Sequence, residues 1–213
     1  MEKLESLIKT YYDFPKKGIA FKDNLGIIQD PEVFRELIFK MSSNHVIKNS
    51  EAIISIEARG FIFGSAISLQ ACKPMIVARK PGKLPGDLIQ ENYNLEYGKS
   101  SLSIQKGALE KFNSFAIVDD LLATGGTIKC VDNLIKKSGK EVSGCITVIE
   151  LLDLKGRKEL DFNVVMTGDG ADELFGGYRR AKEYDSQYSD VFCELPYYHC
   201  PKLDRTMMKY TCL

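Results

Sequence analysis

The spacing of apolar positions changes repeatedly along this chain, and each change marks an expected element. Leu4 to Tyr12 carries apolar side chains at near-helical intervals and reads as a helix. Asp30-Pro31 sets a capping carboxylate before a proline suited to a first helical position. Phe34, Leu37, Ile38 and Met41 then recur at helical spacing, so a second helix opens there. Ala52 to Ile56 reads as a strand, Gly60 to Ala71 as a helix and Pro74 to Ala78 as a strand. Phe115 to Val118 is a short unbroken apolar run, the pattern of a central strand buried on both faces. From Thr127 onward Ile128, Val131, Leu134 and Ile135 return to the helical period, with Gly139 as its stop, and Val142 to Ile149 reads as a further strand. Such alternation predicts an α/β fold, a mainly parallel central sheet with helices on both faces. Asn92 to Gly98 is polar and lacks a clear period, so it reads as a mobile loop.

Composition narrows the class. The 213 residues suffice for one full core with an appendage. The 29 basic and 29 acidic side chains cancel, so no global field recruits nucleic acid or an anionic membrane. The first residues, MEKLESLIKTYY, are charged and amphipathic, and no apolar run approaches the roughly 20 residues of a membrane span; a cytoplasmic location is expected. Six cysteines without a secretory signal read as reduced thiols, with Cys72, Cys130 and Cys145 expected in the core. Cys193, His199, Cys200 and Cys212 match none of the tight paired spacings of a zinc site.

The chemistry concentrates between residues 115 and 127. Asp119 and Asp120 fall where the apolar strand should end, at the carboxyl edge where open α/β sheets bind ligands, and can accept hydrogen bonds from vicinal hydroxyls. Ala123, Thr124, Gly125, Gly126 and Thr127 then let backbone N–H groups close on an anion at a helix N-terminus. A phosphorylated ribose carries both groups. The stretch resembles the ribose-phosphate motif of the type I phosphoribosyltransferases, in which the acids hold the ribose hydroxyls of phosphoribosyl pyrophosphate (PRPP) and the loop holds its 5′-phosphate.

Three further constellations narrow the resemblance to the adenine phosphoribosyltransferases. Ile53 to Gly64 is another strand, loop and helix, similar to the family's pyrophosphate loop, and the resemblance assigns Glu57, Ala58 and Arg59 to the diphosphate, with a cis peptide between Glu57 and Ala58. Glu57 stands where the family often has Asp. Arg79-Lys80-Pro81-Gly82-Lys83-Leu84-Pro85-Gly86 clusters cations in a stiff loop suited to a polyanion, and resembles the family's RKxGKLPG segment, making Arg79, Lys80 and Lys83 pyrophosphate candidates. Asn92-Tyr93-Asn94-Leu95-Glu96-Tyr97-Gly98 resembles the SYxLEYG catalytic loop, with Asn92 in place of Ser. By that resemblance Glu96 takes the proton lost by the attacking purine, Arg59 assists catalysis, and Tyr93 and Tyr97 cover the ligand.

Asp13 to Asp23 resembles the DFPxPGIxFxD hood over the base, with Lys17 replacing a proline, and places Ala20, Phe21 and Lys22 against adenine. An edge strand burying Phe14 and Phe21 is the structural alternative. The segment Glu150 to Arg157 also resembles the adenine enzymes. The resemblance implies transfer of ribose 5-phosphate from PRPP to adenine, giving AMP and pyrophosphate, with Mg2+ carried on PRPP rather than in a protein cage, and a homodimer. A non-catalytic PRPP-binding protein, an interaction protein and a transferase for another purine are the alternatives.

The chain departs from that family after Met166. Thr167 to Tyr178, containing Gly168-Asp169-Gly170-Ala171-Asp172-Glu173, resembles asparagine synthetase, and the likeness continues to Lys209. The SGGxDS-type loop that binds ATP in that family is missing, so synthetase activity is not expected. The expected organisation is a transferase-like domain at 1–166 and a tail fragment at 167–213, with Ala171 to Glu183 helical.

Overall fold

The computed structural model describes residues 2–95 and 98–166. Glu96, Tyr97 and everything from residue 167 onward fall outside the described residues. So do the tail helix, the acids Asp169, Asp172 and Glu173, and the cysteine and histidine set at 193–212.

The chain opens with α1 (Glu2–Ser6), β1 (Lys9–Tyr12) and β2 (Ala20–Asp23). The single helix expected over Leu4 to Tyr12 is therefore corrected to a short helix followed by a strand. Lys9-Thr10-Tyr11-Tyr12 holds β-branched and aromatic side chains that favour extended backbone, and it pairs antiparallel with Ala20–Asp23 from Lys9↔Asp23 to Tyr12↔Ala20. This ribbon carries the segment whose sequence resembles the hood. Its turn is tied by the Gly18 N–H donating to Asp13 Oδ1 at 2.7 Å, and the Phe14–Pro15 peptide is cis.

Next come α2 (Leu25–Gln29), α3 (Pro31–Ser43) and α4 (His45–Lys48). The α3 start is as the sequence requires: Asp30 Oδ1 accepts from the N–H groups of Glu32 and Val33 at 3.2 and 3.1 Å, and Pro31 sits where no donor is needed. Such a cap contributes about 1 kcal/mol. Then β3 (Ala52–Ile56), α5 (Gly60–Ala71) and β4 (Met75–Ala78) form the first β-α-β unit. Cys72 lies just past the α5 end, in a left-handed conformation at φ 51°, and is exposed rather than in the core. Cys130 and Cys145 are buried, and burial pushes the Cys130 thiol up to about 12.

A long antiparallel hairpin, β5 (Leu88–Leu95) with β6 (Gly98–Gln105), stands where a loop was expected. Its period is two: Ile89, Glu91 and Tyr93 are half-buried while Gln90 and Asn92 are exposed. A carboxylate in the inward row conceals the alternation in the sequence. Glu91 is there because Lys137 pairs with it, and its carbonyl accepts from the Cys130 thiol at 3.5 Å.

After α6 (Lys106–Leu109), the chain forms β7 (Ser114–Leu122), α7 (Gly126–Lys137), β8 (Glu141–Glu150), two 3-10 turns at Leu152–Leu154 and Gly156–Glu159, and β9 (Val164–Met166). Gly139 adopts φ 68° beyond α7, as its stop role requires. The five-stranded sheet runs β4-β3-β7-β8-β9 and every pair is parallel. One face is covered by α3, α4 and α5 through Leu37, Met41, Ile47, Phe63 and Ile67; the other is covered by α7 and the hairpin through Ile128, Val131, Leu134, Leu102 and Ile104. All five carboxyl ends therefore open on one edge, where the loops after β3, β4 and β7 meet.

Candidate active site

The first strand length to matter is that of β7. It continues four residues beyond Val118, with Asp119↔Thr147 and Leu122↔Glu150 paired to β8, whereas its pairing with β3 ends at Ser55↔Val118. Asp119 and Asp120 therefore lie within an overhanging strand rather than at its end. On the β3 side the vacated edge receives the Glu57–Gly60 turn. A Cβ on Gly60 would lie 2.8 Å from Asp119 Oδ1 and 3.2 Å from the Val118 carbonyl, so a side chain there would displace the Asp119 carboxylate and crowd the strand.

Asp120 is 6% exposed and its Oδ2 meets two groups: Arg59 Nε in an ion pair at 2.8 Å, and the Asn24 Nδ2 donor at 3.1 Å. The Arg59 guanidinium also lies 5.0 Å from the Phe21 ring centroid, and Phe21 meets Phe14 edge-on at 5.2 Å. The turn after β3, the acid pair of β7 and the β1–β2 ribbon thus converge on Arg59. Phe14 is half-exposed rather than buried as the edge-strand alternative has it. Asp119 is turned inward; burial pushes its carboxyl well above the usual range, the charge of Asp120 adds to the rise, and the Asp120 N–H, 2.9 Å from Oδ1, opposes it.

A second cluster lies beside the first. Glu57, in the turn with the cis Glu57–Ala58 peptide, accepts from Arg79 Nε and from the Lys80 N–H, each at 3.0 Å. Burial pushes its carboxyl up, but those bonds and the charges of Arg79 and Lys80 hold it below the usual range. Glu57 therefore splints the cationic loop onto the turn after β3, and Arg79 also bridges backbone to backbone with Ser103 in the hairpin. Lys80, Lys83, Ala58 and Ala20 are exposed.

The loop after β7 ends on Gly125, at φ 84° and ψ −11°, which caps α7 without any side-chain hydrogen bond. The first N–H groups of a twelve-residue helix therefore face the loop interior with Ala123, Thr124, Gly126 and Thr127 around them. Gly156 backs this loop. A Cβ on Gly125 would lie 2.6 Å from the Gly156 carbonyl, and one on Gly156 would lie 3.0 Å from the Gly125 nitrogen and closer still to the Ala123 carbonyl. The backing turn is clamped by Arg157, whose Nε donates to buried Glu150 at 2.6 Å and whose Nη1 donates to the Val164 carbonyl at 2.8 Å.

Two candidates stand apart. Lys22 donates to Thr10 Oγ1 at 2.9 Å within the hood, and Tyr93 packs against the core on the α7 side. Asn24 and Gly156 carry none of the sequence assignments. Asn24 could be suspected only as a helix-capping residue after the hood, and Gly156 only as a glycine between two cations.

This geometry has relatives. The family model described as Phosphoribosyl transferase domain matches residues 26–173. Adenine phosphoribosyltransferase of Prochlorococcus marinus (strain MIT 9515) is 68% identical over 162 residues, which is 76% of this chain and 95% of that protein. The chain belongs to the adenine phosphoribosyltransferase family. Among solved members, the Thermoanaerobacter pseudethanolicus enzyme superposes with a TM-score of 0.72 at 39% identity, covering 78% of this chain and 96% of that one. The Saccharomyces cerevisiae adenine phosphoribosyltransferase, complexed with an imino-altritol bisphosphate and adenine, gives 0.71 at 32% identity, over 78% and 96%. A second model, Asparagine synthase, matches residues 150–210 and overlaps the first from 150 to 173. The overlap spans β9 and its approach, the stretch at which the two likenesses join.

Proposed function

We propose that this chain transfers ribose 5-phosphate from PRPP to adenine, giving AMP and pyrophosphate in purine salvage. The observation that carries the reading is the convergence of Arg59, the Asp119–Asp120 pair and the open N-terminus of α7 on one sheet edge. PRPP presents a 5′-phosphate, a vicinal diol and a diphosphate, and these groups answer the loop at 123–127, the two acids, and the cations Arg59, Arg79, Lys80 and Lys83 in turn. Adenine is assigned to the hood beside Ala20 and Phe21, with Lys22 meeting the base through its backbone because its ammonium is tied to Thr10; the Phe21 ring, which carries Arg59 over it, supplies the aromatic surface.

In this scheme the bond from C1 of the ribose to the pyrophosphate oxygen breaks and a bond from C1 to a purine nitrogen forms. The electron pair leaves on pyrophosphate, toward the Arg59 and Arg79 side. The nitrogen's proton goes to the Glu96 carboxylate, and Tyr97 helps exclude water from the activated ribose. The hard carboxylate oxygens of Asp119 and Asp120 suit Mg2+ delivered on PRPP, and the raised Asp119 carboxyl is the kind of acid that an incoming cation would ionise. Among the described residues no cluster of three or more acids, histidines or cysteines forms a metal cage. When bound, the ion would offset charge on the departing pyrophosphate.

We further assign residues 1–166 to the transferase and 167–213 to a dispensable appendage, and the active species to a cytoplasmic homodimer. No helix among the described residues is long and apolar enough to cross a membrane. The test is AMP formation from adenine, PRPP and Mg2+ by the full chain, with guanine and hypoxanthine as competing bases. A folded chain that binds PRPP yet makes no AMP refutes the enzymatic reading.

A further inference from the structure

We propose that Asn24 is a positioning residue, which keeps the Asp120 carboxylate aimed at the ribose once Arg59 is drawn away to the pyrophosphate; this rests on the transferase reading. Asn24 is fully buried and occupies the N-cap position of α2, where asparagine ordinarily accepts from the first helical N–H groups. Here it makes no capping bond. Its side chain instead crosses 96 positions of sequence to donate to Asp120, and its own Oδ1 is buried without a partner. A cap forgone and an acceptor left unsatisfied both work against stability. The amide cannot be turned to relieve this, because its oxygen would then face a carboxylate.

Arg59 forms an ion pair with the same Oδ2. In the ligand-free protein the two groups hold the same carboxylate oxygen and are partly redundant. PRPP changes that balance, since a diphosphate draws the Arg59 guanidinium toward itself and competes with Asp120 for the same cation. Asn24 is neutral and buried, and so is not drawn to the phosphates. It continues to hold Asp120 when Arg59 is engaged, and because it follows directly on β2 it ties the hood to the ribose acid.

Redundancy in one state and necessity in the other separate this role from simple packing. Asn24→Leu keeps the number and branching of side-chain heavy atoms, removes the orphaned acceptor and leaves Asp120 its arginine; Asn24→Asp keeps the shape and replaces the donor with an acceptor. The full chain and both variants are compared by calorimetric titration with PRPP and Mg2+ in the absence of base, by steady-state AMP formation and by thermal unfolding without ligand. Asn24→Leu is expected to melt within about 2 °C of the parent while its PRPP Kd and KM rise about tenfold, the loss of one hydrogen bond to a charged group, with kcat within about twofold. Asn24→Asp is expected to weaken PRPP further. PRPP constants within twofold of the parent overturn the proposal, as does a lower melting temperature with PRPP affinity intact, or failure of both variants to fold. A parent that binds PRPP but forms no AMP refutes the transferase reading instead, and the Kd ratio then judges Asn24 by itself.

Discussion

Gly156 lies outside every ligand-facing segment, yet the structure makes it the residue on which the phosphate loop rests. In Gly156→Ala the new methyl would sit 2.9 Å from Leu122 Cδ1, 3.0 Å from the Gly125 nitrogen and nearer still to the Ala123 carbonyl, whereas ordinary contact begins at 3.4 Å. Leu122 can rotate, but the other two neighbours are backbone of the loop itself. The Arg157 bonds to Glu150 and Val164 prevent the Gly156 turn from backing away freely. Relief therefore takes about 1 Å of movement in the loop, at an overpacking cost of about 2 kcal/mol. For a domain of this size that is a fall in Tm of roughly 4–8 °C. A 1 Å misplacement of phosphate-binding N–H groups costs on the order of 100-fold in productive binding. The expected result is a PRPP KM raised about 100-fold and an adenine KM nearly unchanged, read by initial rates of AMP formation with each substrate varied. Gly107→Ala is the control, since a Cβ there meets nothing within 4 Å and its φ is ordinary. If Gly156→Ala melts and binds PRPP like Gly107→Ala, the claimed contact between the turn and the loop does not exist.

Asp119→Asn should melt higher than the parent near neutral pH while losing roughly 100-fold or more in kcat/KM. Its folded carboxyl is raised, so the native state binds the extra proton and stability falls as pH rises from the unfolded value through the folded one. Asparagine removes that loss, and melting curves of both proteins between pH 4 and about 8 should diverge with increasing pH. Glu96→Ala should lower kcat by about 100-fold or more with PRPP affinity retained, as for loss of a general base, and an unchanged kcat would remove Glu96 from the mechanism. A chain ending at Met166 should retain AMP formation and the parent's PRPP affinity; loss of both in a soluble, cooperatively melting product would show that the tail belongs to the catalytic unit.

The legible parts of the molecule were those specified by local chemistry. Ala52–Ile56 and Gly60–Ala71 appear with the bounds their periodicity predicts, and the Asp30-Pro31 cap works through its own side chain. Asp119, Asp120 and the glycines after them were legible because strand, acid pair and anion loop are contiguous. What the sequence concealed was pairing. Lys9–Tyr12 is half of a ribbon whose other half is eight residues away, and the inward row of the hairpin contains a glutamate that only Lys137 makes tolerable. Asn24 was hidden for the same reason, since its partner is specified only after β7 has been placed beside β3. The parallel sheet supplies this second level of information. By ending β3 before β7, it creates one vacant edge into which Gly60 fits, and that fit brings Arg59 to Asp120. The reading of the site therefore depends less on any one motif than on the difference in length between two strands, and lengthening β3 by a single pair would displace the turn on which three motifs converge.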